Sequence, residues 1–429
     1  MFIRALYTLL LAALSPLLLF GLYRRLPNKP AFGSRWKEHF GVTPPLADLP
    51  KAQPIWIHAV SVGESIAAIP VIKAIKAKNP EQTIVVTTTT STGAEQVSKL
   101  GELVVHRYMP IDFAWCVRGF LKATNPSAML IMETELWPNT LATVHRAGIP
   151  VIVMNARLSA RSAQRYAKFQ PVFNMISANL NHLLCLHQDD AERFVRLGVA
   201  KDRLSVTGSV KFDIQIEPTL LEQSQQLRQQ LGETRPVWIA ASTHKGEDEQ
   251  ILAAFKAVKK QHPDCLLILV PRHPERFDSV AELCLAQQLT CVRRTTGVAV
   301  DGATDVYLAD TMGEMLLLMG AADVTVMGGS LIGDKVGGHN MLEPAALAKP
   351  VLTGPSYYNF TDITLQLEGA GALEVCSSAE QIGLRLVALL GDPALCRHMG
   401  QAAIEVVRQN QGAVAKTLAV VDQLLAPKN

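Results

Sequence analysis

The stretch IWIHAVSVGE at residues 55–64 decides the fold that this sequence predicts. Its first six residues are mostly apolar, as in a strand buried on both faces of a parallel sheet, and a small turn with Gly63 and Glu64 then leads into a helical pattern. The same order recurs in VWIAASTHKGE at residues 237–247. We interpret the two stretches as the first strands of two Rossmann-like halves. The similarity between the two stretches, which we call the echo, is short, so chance is the alternative explanation.

Further strand-like runs alternate with helical patterns on both sides of these two stretches, and this alternation does not depend on the echo. It indicates a doubly wound parallel sheet in each half, an α/β architecture. Such sheets bind ligands at the carboxyl ends of their strands, so the chemistry should lie just after each strand. The other predicted runs cover residues 83–90, 128–132, 150–155, 183–187, 266–273, 305–310, 323–329 and 350–354.

Length and composition favour a globular body of two domains. The chain has 429 residues, which is too long for one ordinary core, and 48% of them are hydrophobic. The net charge of +3 and the absence of a basic stripe interleaved with aromatics predict that nucleic acid is not a partner. Seven scattered cysteines without a Cys-x-x-Cys pattern favour a reducing compartment over a disulfide framework.

The amino terminus has a different composition from the rest of the chain. Residues 5–23 carry no charge, and these 19 residues are barely enough to span about 30 Å of hydrocarbon, with Pro16 expected to kink the helix. We predict a retained anchor that spans the membrane or lies in its interface; a cleaved signal peptide is the alternative. Cations after the anchor place the body on the cytoplasmic side. They are Arg24, Arg25, Lys29, Arg35 and Lys37.

In the second half, polar and glycine-rich turns follow several predicted strands. Arg272 and His273 close one apolar run, and a guanidinium there can pair with a phosphate; a surface arginine is the alternative. Gly313 and Glu314 open an apolar helix whose free N–H groups can bind an anion, with ordinary capping as the alternative. Two more such turns contain Gly329, Ser330 and the run 340–343, in which Asn340 could instead cap a helix through Glu343.

Together these turns predict a nucleotide or sugar-nucleotide site at one edge of the second sheet. The spacing does not match Gly-x-x-x-x-Gly-Lys-[Ser/Thr], which disfavours an ATP-hydrolysing P-loop. No Gly-x-Gly-x-x-Gly follows the first strand, which argues against a nicotinamide dehydrogenase. Metal ligation is poorly supported, because no His-Glu-x-x-His and no cysteine ligand set occurs; we predict no metal.

In the first half, the residues after the strands are carboxylates. Glu64 follows the first strand, while Glu133 and Glu135 follow the run 128–132. A carboxylate beside an acceptor hydroxyl can act as a general base. The alternative for Glu64 is a first-turn acid that the helix dipole favours. Lys211 could neutralise developing phosphate charge, although a surface lysine is the default interpretation.

Eight motifs together resemble the 3-deoxy-D-manno-octulosonic acid (Kdo) transferases of lipopolysaccharide assembly. They extend over most of the chain, and eight separate blocks make the resemblance specific. The loop 331–336 is slightly longer than we expect for this family, and Met341 takes a slot that is often proline. The motifs are SVGES (61–65), METELWPN (132–139), NARLSARS (155–162), GSVKFD (208–213), STHKGE (242–247), VPRHPERF (270–277), DTMGEM (310–315) and GGHNMLEPAA (337–346).

The resemblance implies a GT-B glycosyltransferase, with two Rossmann-like domains facing a cleft and a hydrophobic N-terminal anchor helix. It implies CMP-Kdo as donor, the lipid A precursor lipid IV-A as acceptor, and metal-independent inversion at the cytoplasmic face of the inner membrane, without a cofactor. It places the catalytic base on Glu64 and transition-state stabilisation on Glu133 and Lys211. The implied CMP contacts are Pro271, Arg272, Met312, Gly313, Glu314, Asn340, Met341, Leu342 and Glu343.

From the patterns and the resemblance together we predict four segments. They are a membrane anchor at 1–25, an N-terminal acceptor domain at 26–215, a linker at 216–235 whose Gln-rich pattern could also be a polar helix, and a C-terminal nucleotide-sugar domain at 236–429. The last helix could pack back on the N-terminal domain.

Two rival functions remain open at this point. A sugar-nucleotide epimerase can use the same scaffold, but it has no need of a membrane anchor. A membrane-tethered protein that binds nucleotide sugars without turnover is the other rival, and the paired carboxylates argue against it.

Overall fold

The computed structural model describes residues 2–24, 30–46 and 53–426. Arg25 and Lys29, two of the cations expected after the anchor, lie outside the described residues, as does the predicted boundary at 25/26. The chain divides into two compact units, which we call the first domain (Met1–Asp213 with Asn410–Asn429) and the second domain (Ile214–Gln409).

The first domain contains a seven-stranded parallel sheet in the order β3-β2-β1-β4-β5-β6-β7. Its elements up to residue 206 are α1 (Phe2–Tyr23), β1 (Ile55–His58), α2 (Val62–Lys78), β2 (Ile84–Thr88), α3 (Ser91–Ser98), β3 (Val105–Tyr108), α4 (Ala114–Thr124), β4 (Ala128–Met132), α5 (Pro138–Arg146), β5 (Val151–Ala156), α6 (Ala160–Lys168), α7 (Gln170–Ser177), β6 (His182–Cys185), α8 (Gln188–Arg196) and β7 (Leu204–Val206).

Burial on both faces explains why the central strands of this sheet are apolar runs without alternation. Along β1, the Trp56 side chain enters one core cluster, while Ile55 and Ile57 enter another on the opposite face. All five residues of β4 are buried as well. A strand covered by helices on both faces needs apolar side chains in both directions, which is the pattern that the sequence shows.

The second domain repeats this plan with the strand order β10-β11-β9-β8-β12-β13-β14, again with parallel pairing. Its elements are α9 (Pro218–Leu231), β8 (Val237–Thr243), α10 (Asp248–Lys259), β9 (Leu266–Pro271), α11 (Phe277–Ala286), β10 (Cys291–Arg293), β11 (Val306–Leu308), α12 (Met315–Ala321), β12 (Val324–Met327), α13 (Leu342–Ala346), β13 (Val351–Thr353), α14 (Thr361–Gly369), β14 (Leu373–Val375), α15 (Ala379–Gly391) and α16 (Pro393–Asn410). The two doubly wound sheets form the α/β architecture expected from the alternation.

The segment 216–235, predicted as a linker or a polar helix, is mostly the helix α9, which packs in the second domain against α12. The Ser224 hydroxyl donates to the Leu317 carbonyl oxygen at 3.2 Å, and the Arg228 guanidinium donates to the Ala321 carbonyl at 3.1 Å. Its glutamines give the segment a polar composition that resembles a linker, although its Leu227 and Leu231 side chains are buried.

The last helix, α17 (Ala413–Leu425), belongs to the first domain, where it packs against α2. Its start is held by Asp213, whose carboxylate accepts the backbone N–H groups of Gly412, at 2.6 Å, and Val414, at 2.5 Å. The buried side chains of Ala413 and Val421 complete that face of the first core.

Among the described residues, the helix α1 is long and apolar enough to cross a membrane. It contacts the first domain through polar groups: the Asn139 amide donates to the Thr8 hydroxyl at 2.9 Å, and the Tyr7 hydroxyl is hydrogen-bonded to the Asp112 carboxylate. Its other face exposes large apolar side chains. These are Phe2, Leu6, Leu9, Leu10, Leu14, Leu17, Leu18 and Phe20.

We expect Gly400→Ala to destabilise the second domain, although alanine normally favours a helix interior by about 1 kcal/mol. A Cβ at Gly400 would lie 2.0 Å from the Ala348 carbonyl oxygen. Such overpacking typically costs about 1–3 kcal/mol. Thermal unfolding should show a lower Tm for G400A. Gly369→Ala is the control, because nothing lies within 4 Å of its Cβ position; an unchanged Tm in both variants would contradict this packing.

Candidate active site

The turn after β1 places Glu64 at the start of α2. The Ser61 hydroxyl accepts the Glu64 N–H at 3.3 Å, and the Glu64 carboxylate in turn accepts the Val60 N–H at 2.9 Å and the Ser61 hydroxyl at 2.8 Å. This reciprocal arrangement is close to a capping box. Glu64 is a first-turn acid of α2, as the alternative interpretation describes, and a catalytic role would have to coexist with these contacts.

The electrostatics of Glu64 differ from those of an ordinary exposed cap. Glu64 is only 8% exposed, and burial raises the pKa of its carboxyl above the ordinary value. The Val60 and Ser61 hydrogen bonds lower that pKa, whereas the charges of Glu133 and Glu135 raise it further. A carboxylate with a raised pKa that sits beside other acids is better suited to accept a proton than an exposed one.

Glu133 and Lys211 lie next to each other in the same region. The Lys211 ammonium is 3.2 Å from the Glu133 carboxylate, and both side chains are about one-third exposed. Glu133 follows β4 with φ +59°, a left-handed conformation that is strained for a non-glycine residue. An ion pair with this exposure contributes little to the stability of the fold, about 0–1 kcal/mol. Its contribution to stability therefore does not explain why the backbone of Glu133 is strained.

The strand order accounts for the proximity of Glu64 and Glu133. The chain leaves β1 toward β2 on one side and returns through β4 on the other, so β1 and β4 flank the topological switch point. Ligands of open α/β sheets bind in the crevice outside the carboxyl ends of such strands. Glu64 follows β1 and Glu133 follows β4, which places both predicted carboxylates at this crevice.

In the second domain, the electrostatics bring Arg272, Asn340 and Glu343 together. The Asn340 amide donates to the Glu343 carboxylate at 3.2 Å, and the Leu342 N–H donates to the Asn340 side-chain oxygen at 3.2 Å. Burial raises the pKa of Glu343, while Asn340 and the positive charge of Arg272 lower it. Asn340 thus binds the N–H of Leu342, the first residue of α13, although the N-cap position itself is taken by Met341 and not by Asn340 as one interpretation expected. Asn340 also holds Glu343, which is within the electrostatic influence of Arg272.

Arg272 directly follows β9, and its backbone N–H donates to the Thr243 carbonyl at 2.9 Å. The next arginine, Arg276, is instead ion-paired with the buried Asp248. Among the residues that the structure describes, no carboxylate is ion-paired directly with Arg272. Of these two cations, Arg272 is the one free to bind an anion. Pro271 ends β9 and fixes the point at which Arg272 leaves the sheet.

Gly329 and Ser330 do not offer free donors to a ligand. Their N–H groups, and that of Leu331, point to the carboxylate of Glu247 at 2.7, 2.9 and 2.9 Å. The His244 N–H donates to the same carboxylate at 2.9 Å. The turn is an anion-binding nest as expected, but a side chain of the protein itself fills it. Glu247 was not among the predicted site residues, because its contacts join it to residues more than 80 positions away along the chain.

A pair of histidines beside this turn was also unassigned from the sequence. The Nε2 atoms of His244 and His339 are 2.9 Å apart, and their rings are stacked. Burial lowers the pKa of His339 to about 3 and also lowers the pKa of His244. Both rings are therefore neutral near pH 7, so one Nε2 donates and the other accepts. His273 packs edge-on against His244.

The turn after β11 contains Met312, Gly313 and Glu314. Because β11 neighbours β9, this turn lies at the same edge of the second sheet as Arg272, which follows β9. The Glu314 carboxylate is held by Arg294 through two hydrogen bonds of 2.6 Å. This pairing lowers the pKa of Glu314. Gly313 has φ +85°, and Met312 is exposed. The backbone of this turn, rather than the Glu314 carboxylate, is therefore available to a ligand.

The described residues contain no cluster of three or more His, Cys, Asp or Glu side chains that could hold a metal ion. His244, His273 and His339 are thus not arranged as a ligand set. All seven cysteines are free thiols.

Comparisons with known proteins show which family this chain resembles in sequence. The family model described as "3-Deoxy-D-manno-octulosonic-acid transferase (kdotransferase)" matches residues 34–214. A 3-deoxy-D-manno-octulosonic acid transferase from Haemophilus influenzae is 39% identical over 417 residues, which cover 97% of each chain.

Two solved structures are also similar. The crystal structure of a glycosyltransferase from Rickettsia africae covers 88% of this chain and 100% of its own, with a TM-score of 0.53 and 13% identity, and so shows the shared fold. The C-terminal CMP-Kdo binding domain of WaaA from Acinetobacter baumannii is 37% identical, covering 45% of this chain and 100% of that one, with a TM-score of 0.43.

The similarity to the Haemophilus protein extends over nearly the whole of both chains, well beyond the part that the family model matches. The two parallel seven-stranded sheets give the architecture of a GT-B glycosyltransferase. On this evidence the chain belongs to the 3-deoxy-D-manno-octulosonic acid transferase family, whose members are glycosyltransferases of lipopolysaccharide biosynthesis.

Proposed function

We propose that this enzyme transfers Kdo from CMP-Kdo to lipid IV-A with inversion and without a metal ion. The observation that carries the proposal is the buried Glu64 carboxylate, whose pKa is raised and which lies at the switch point of the first domain beside Glu133 and Lys211. In this proposal Glu64 takes the proton from an acceptor sugar hydroxyl as its oxygen attacks the anomeric carbon of Kdo.

Two of the four lone-pair directions of the Glu64 carboxylate are already used. One oxygen accepts the Val60 N–H and the other accepts the Ser61 hydroxyl. These bonds fix the orientation of the carboxylate and leave acceptor capacity for a substrate hydroxyl. A base held in one orientation loses less entropy when it meets its substrate.

We assign electrostatic support to the pair of Glu133 and Lys211. The Lys211 ammonium is held at 3.2 Å by Glu133. A fixed cation at a ligand-binding crevice can stabilise negative charge that develops during transfer. The strained backbone of Glu133 supports this role, because strain of this kind clusters at functional sites.

For the donor, we propose that Arg272 binds the CMP phosphate. A guanidinium without a carboxylate partner can pair bidentately with phosphate oxygens. The backbone N–H groups around Gly313 add donors at the same edge of the sheet. Glu343, which Asn340 orients, suits a ribose hydroxyl better than a phosphate because like charges repel.

We further propose that α1 holds the enzyme on the cytoplasmic side of the inner membrane and lies in the interface rather than spanning the bilayer. An apolar pocket of about 220 Å³ lies between α1 and the first domain, and its lining runs from Leu11 to Leu22 along the helix. A helix bound sideways to the domain over this length can present its exposed leucines and phenylalanines to lipid. The basic residues after α1 favour the anionic cytoplasmic leaflet.

Arg35 is not available for the acceptor phosphates, a contact that its position after the anchor would otherwise favour. Its guanidinium is bound to the buried Glu38 at 2.8 Å and to His106 at 3.0 Å. Lys37 is exposed on the same turn and remains the candidate for that contact.

The two rival functions differ from this proposal in what they predict. The family assignment argues against a sugar-nucleotide epimerase, and the two carboxylates at the first switch point argue against a binding protein without turnover. Mass spectrometry of lipid IV-A incubated with the protein and a CMP-Kdo-generating system separates all three: a mass increase of one or more Kdo units supports transfer, and an unchanged acceptor contradicts it.

Glu64→Gln should reduce the turnover number by about 10²–10⁴-fold, the usual contribution of a general base. Gln retains one oxygen that can accept the Val60 N–H, and its amide group can donate to the Ser61 hydroxyl, so the fold and the affinity for CMP should be preserved. Product formation by mass spectrometry and CMP binding by calorimetry measure the two effects. Lys76→Gln, an exposed change on the same helix, is the control. A normal turnover number in E64Q would remove Glu64 from the role of base.

The pH dependence should reflect the raised pKa of Glu64. A base works only when deprotonated, so kcat/KM should rise with pH through an acid limb that lies above the ordinary glutamate pKa of about 4.3. Glu135 raises the pKa of Glu64 by its negative charge. Glu135→Gln should therefore shift the acid limb to lower pH. An acid limb that does not move, or that moves upward, contradicts this coupling.

Arg272→Lys should weaken CMP binding by about tenfold, because an ammonium cannot reproduce a bidentate guanidinium contact. Calorimetric titration of the full-length protein with CMP gives the affinity. Arg385→Lys is the matched control, since Arg385 makes a bidentate pair with Glu374 elsewhere in the same domain. Equal losses of CMP affinity in R272K and R385K would mean that Arg272 has no specific role.

A further inference from the structure

The most unusual group in the second domain is the carboxylate of Glu247. The residue is 0% exposed, and it accepts four backbone N–H groups, two on each oxygen. One donor, from His244, lies in the loop after β8, and the other three, from Gly329, Ser330 and Leu331, lie directly after β12. The carboxylate therefore joins the loops that follow two neighbouring strands.

These two strands flank the switch point of the second domain. The chain leaves β8 toward β9 on one side and returns through β12 on the other. In an open α/β sheet this crevice is where an anionic ligand would be expected. Three consecutive N–H groups that converge there form a nest that usually receives a phosphate. Here the Glu247 side chain supplies the negative charge.

The turn that Glu247 holds leads directly to the nucleotide-contacting run. The Gly329 carbonyl accepts the N–H of Gly338 at 2.9 Å, which closes the loop between them. Gly338 precedes His339 and Asn340, and Asn340 orients Glu343 at 3.2 Å. The position of Asn340 and Glu343 thus depends, through Gly329 and Gly338, on the bonds made by Glu247.

A close approach makes this loop sensitive to small shifts. A Cβ on Gly329 would lie 2.8 Å from the Val336 side chain and 3.0 Å from the His339 ring. The ring of His339 is in turn bonded to His244 at 2.9 Å. The backbone of residue 329, the His339 ring and the His244 loop are therefore packed as one unit, and Glu247 bonds both ends of it.

We propose that Glu247 is a positioning residue for the donor site: it does not touch the nucleotide, but fixes the loop that presents Asn340 and Glu343 to it. The same assignment implies that the nucleotide phosphate does not bind in the Gly329–Leu331 turn. This inference rests on the proposed role of the second domain in binding CMP-Kdo.

Glu247→Gln tests the proposal with little change in size. A glutamine has one oxygen for the four N–H groups, and its amide N–H₂ faces two of them, so two buried donors lose their acceptor. CMP affinity should fall by about tenfold or more, which corresponds to about 1.4 kcal/mol. The KM for CMP-Kdo should rise by a similar factor, while kcat at saturating donor should stay within about threefold.

Asp323→Asn is the matched control. The Asp323 carboxylate also accepts a backbone N–H, from Val237 at 2.9 Å, and it forms an ion pair with Arg228. Asp323 precedes β12, however, whereas Glu247 binds the residues that follow β12. Asp323→Asn should lower the Tm without changing CMP affinity. If E247Q and D323N lose Tm equally and both bind CMP like the wild type, Glu247 is only structural and the proposal is overturned.

Two further outcomes are informative. If E247Q unfolds at the assay temperature, Glu247→Asp is measured instead; it retains both oxygens on a shorter side chain, and a folded E247D with unchanged CMP affinity also overturns the proposal. If the wild-type protein fails to bind CMP, the proposed donor site fails instead. The two failures are therefore distinguishable.

Discussion

The reversal of strand order beside β1 and beside β8 is the constraint on which the rest of the structure depends. At each reversal the chain leaves a central strand in opposite directions, and no connection covers the carboxyl ends of the strands on either side. The residues after β1 and β4, and after β8 and β12, must therefore face a crevice. The functional residues of both domains follow from how the chain fills these two crevices.

The chain places a glutamate at the same point of both domains and uses the two in opposite ways. Glu64 and Glu247 each follow the first strand of their sheet by a short turn. Glu64 accepts one N–H and one hydroxyl and retains acceptor capacity, whereas Glu247 accepts four N–H groups and is fully enclosed. The first crevice thus keeps a carboxylate with free acceptor capacity, whereas in the second crevice a carboxylate fills the nest at Gly329–Leu331.

The sequence was sufficient to predict features that depend on local pattern. The apolar runs predicted the parallel strands, because burial on both faces leaves a local signature, and position after a strand made Glu64, Glu133 and Arg272 candidates for the site. The sequence could not show that Glu247 fills the turn at Gly329, or that Arg294 neutralises Glu314, because these contacts join segments that are distant along the chain. The Gln-rich composition of 216–235 left a helix and a linker as alternatives, because it gives little sign that Leu227 and Leu231 are buried.

The Glu247 contacts also change how the glycine-rich segment after β12 is understood. Its flexibility and convergent N–H groups are consistent with a phosphate cradle, yet the required negative charge is already present inside the protein. A second anion at the same nest would meet repulsion and no free donors. The donor phosphate is therefore better matched to Arg272, which lacks a carboxylate partner among the described residues. The glycines then serve a different purpose, since they let the loop pack closely enough for one buried carboxylate to determine where Asn340 and Glu343 lie.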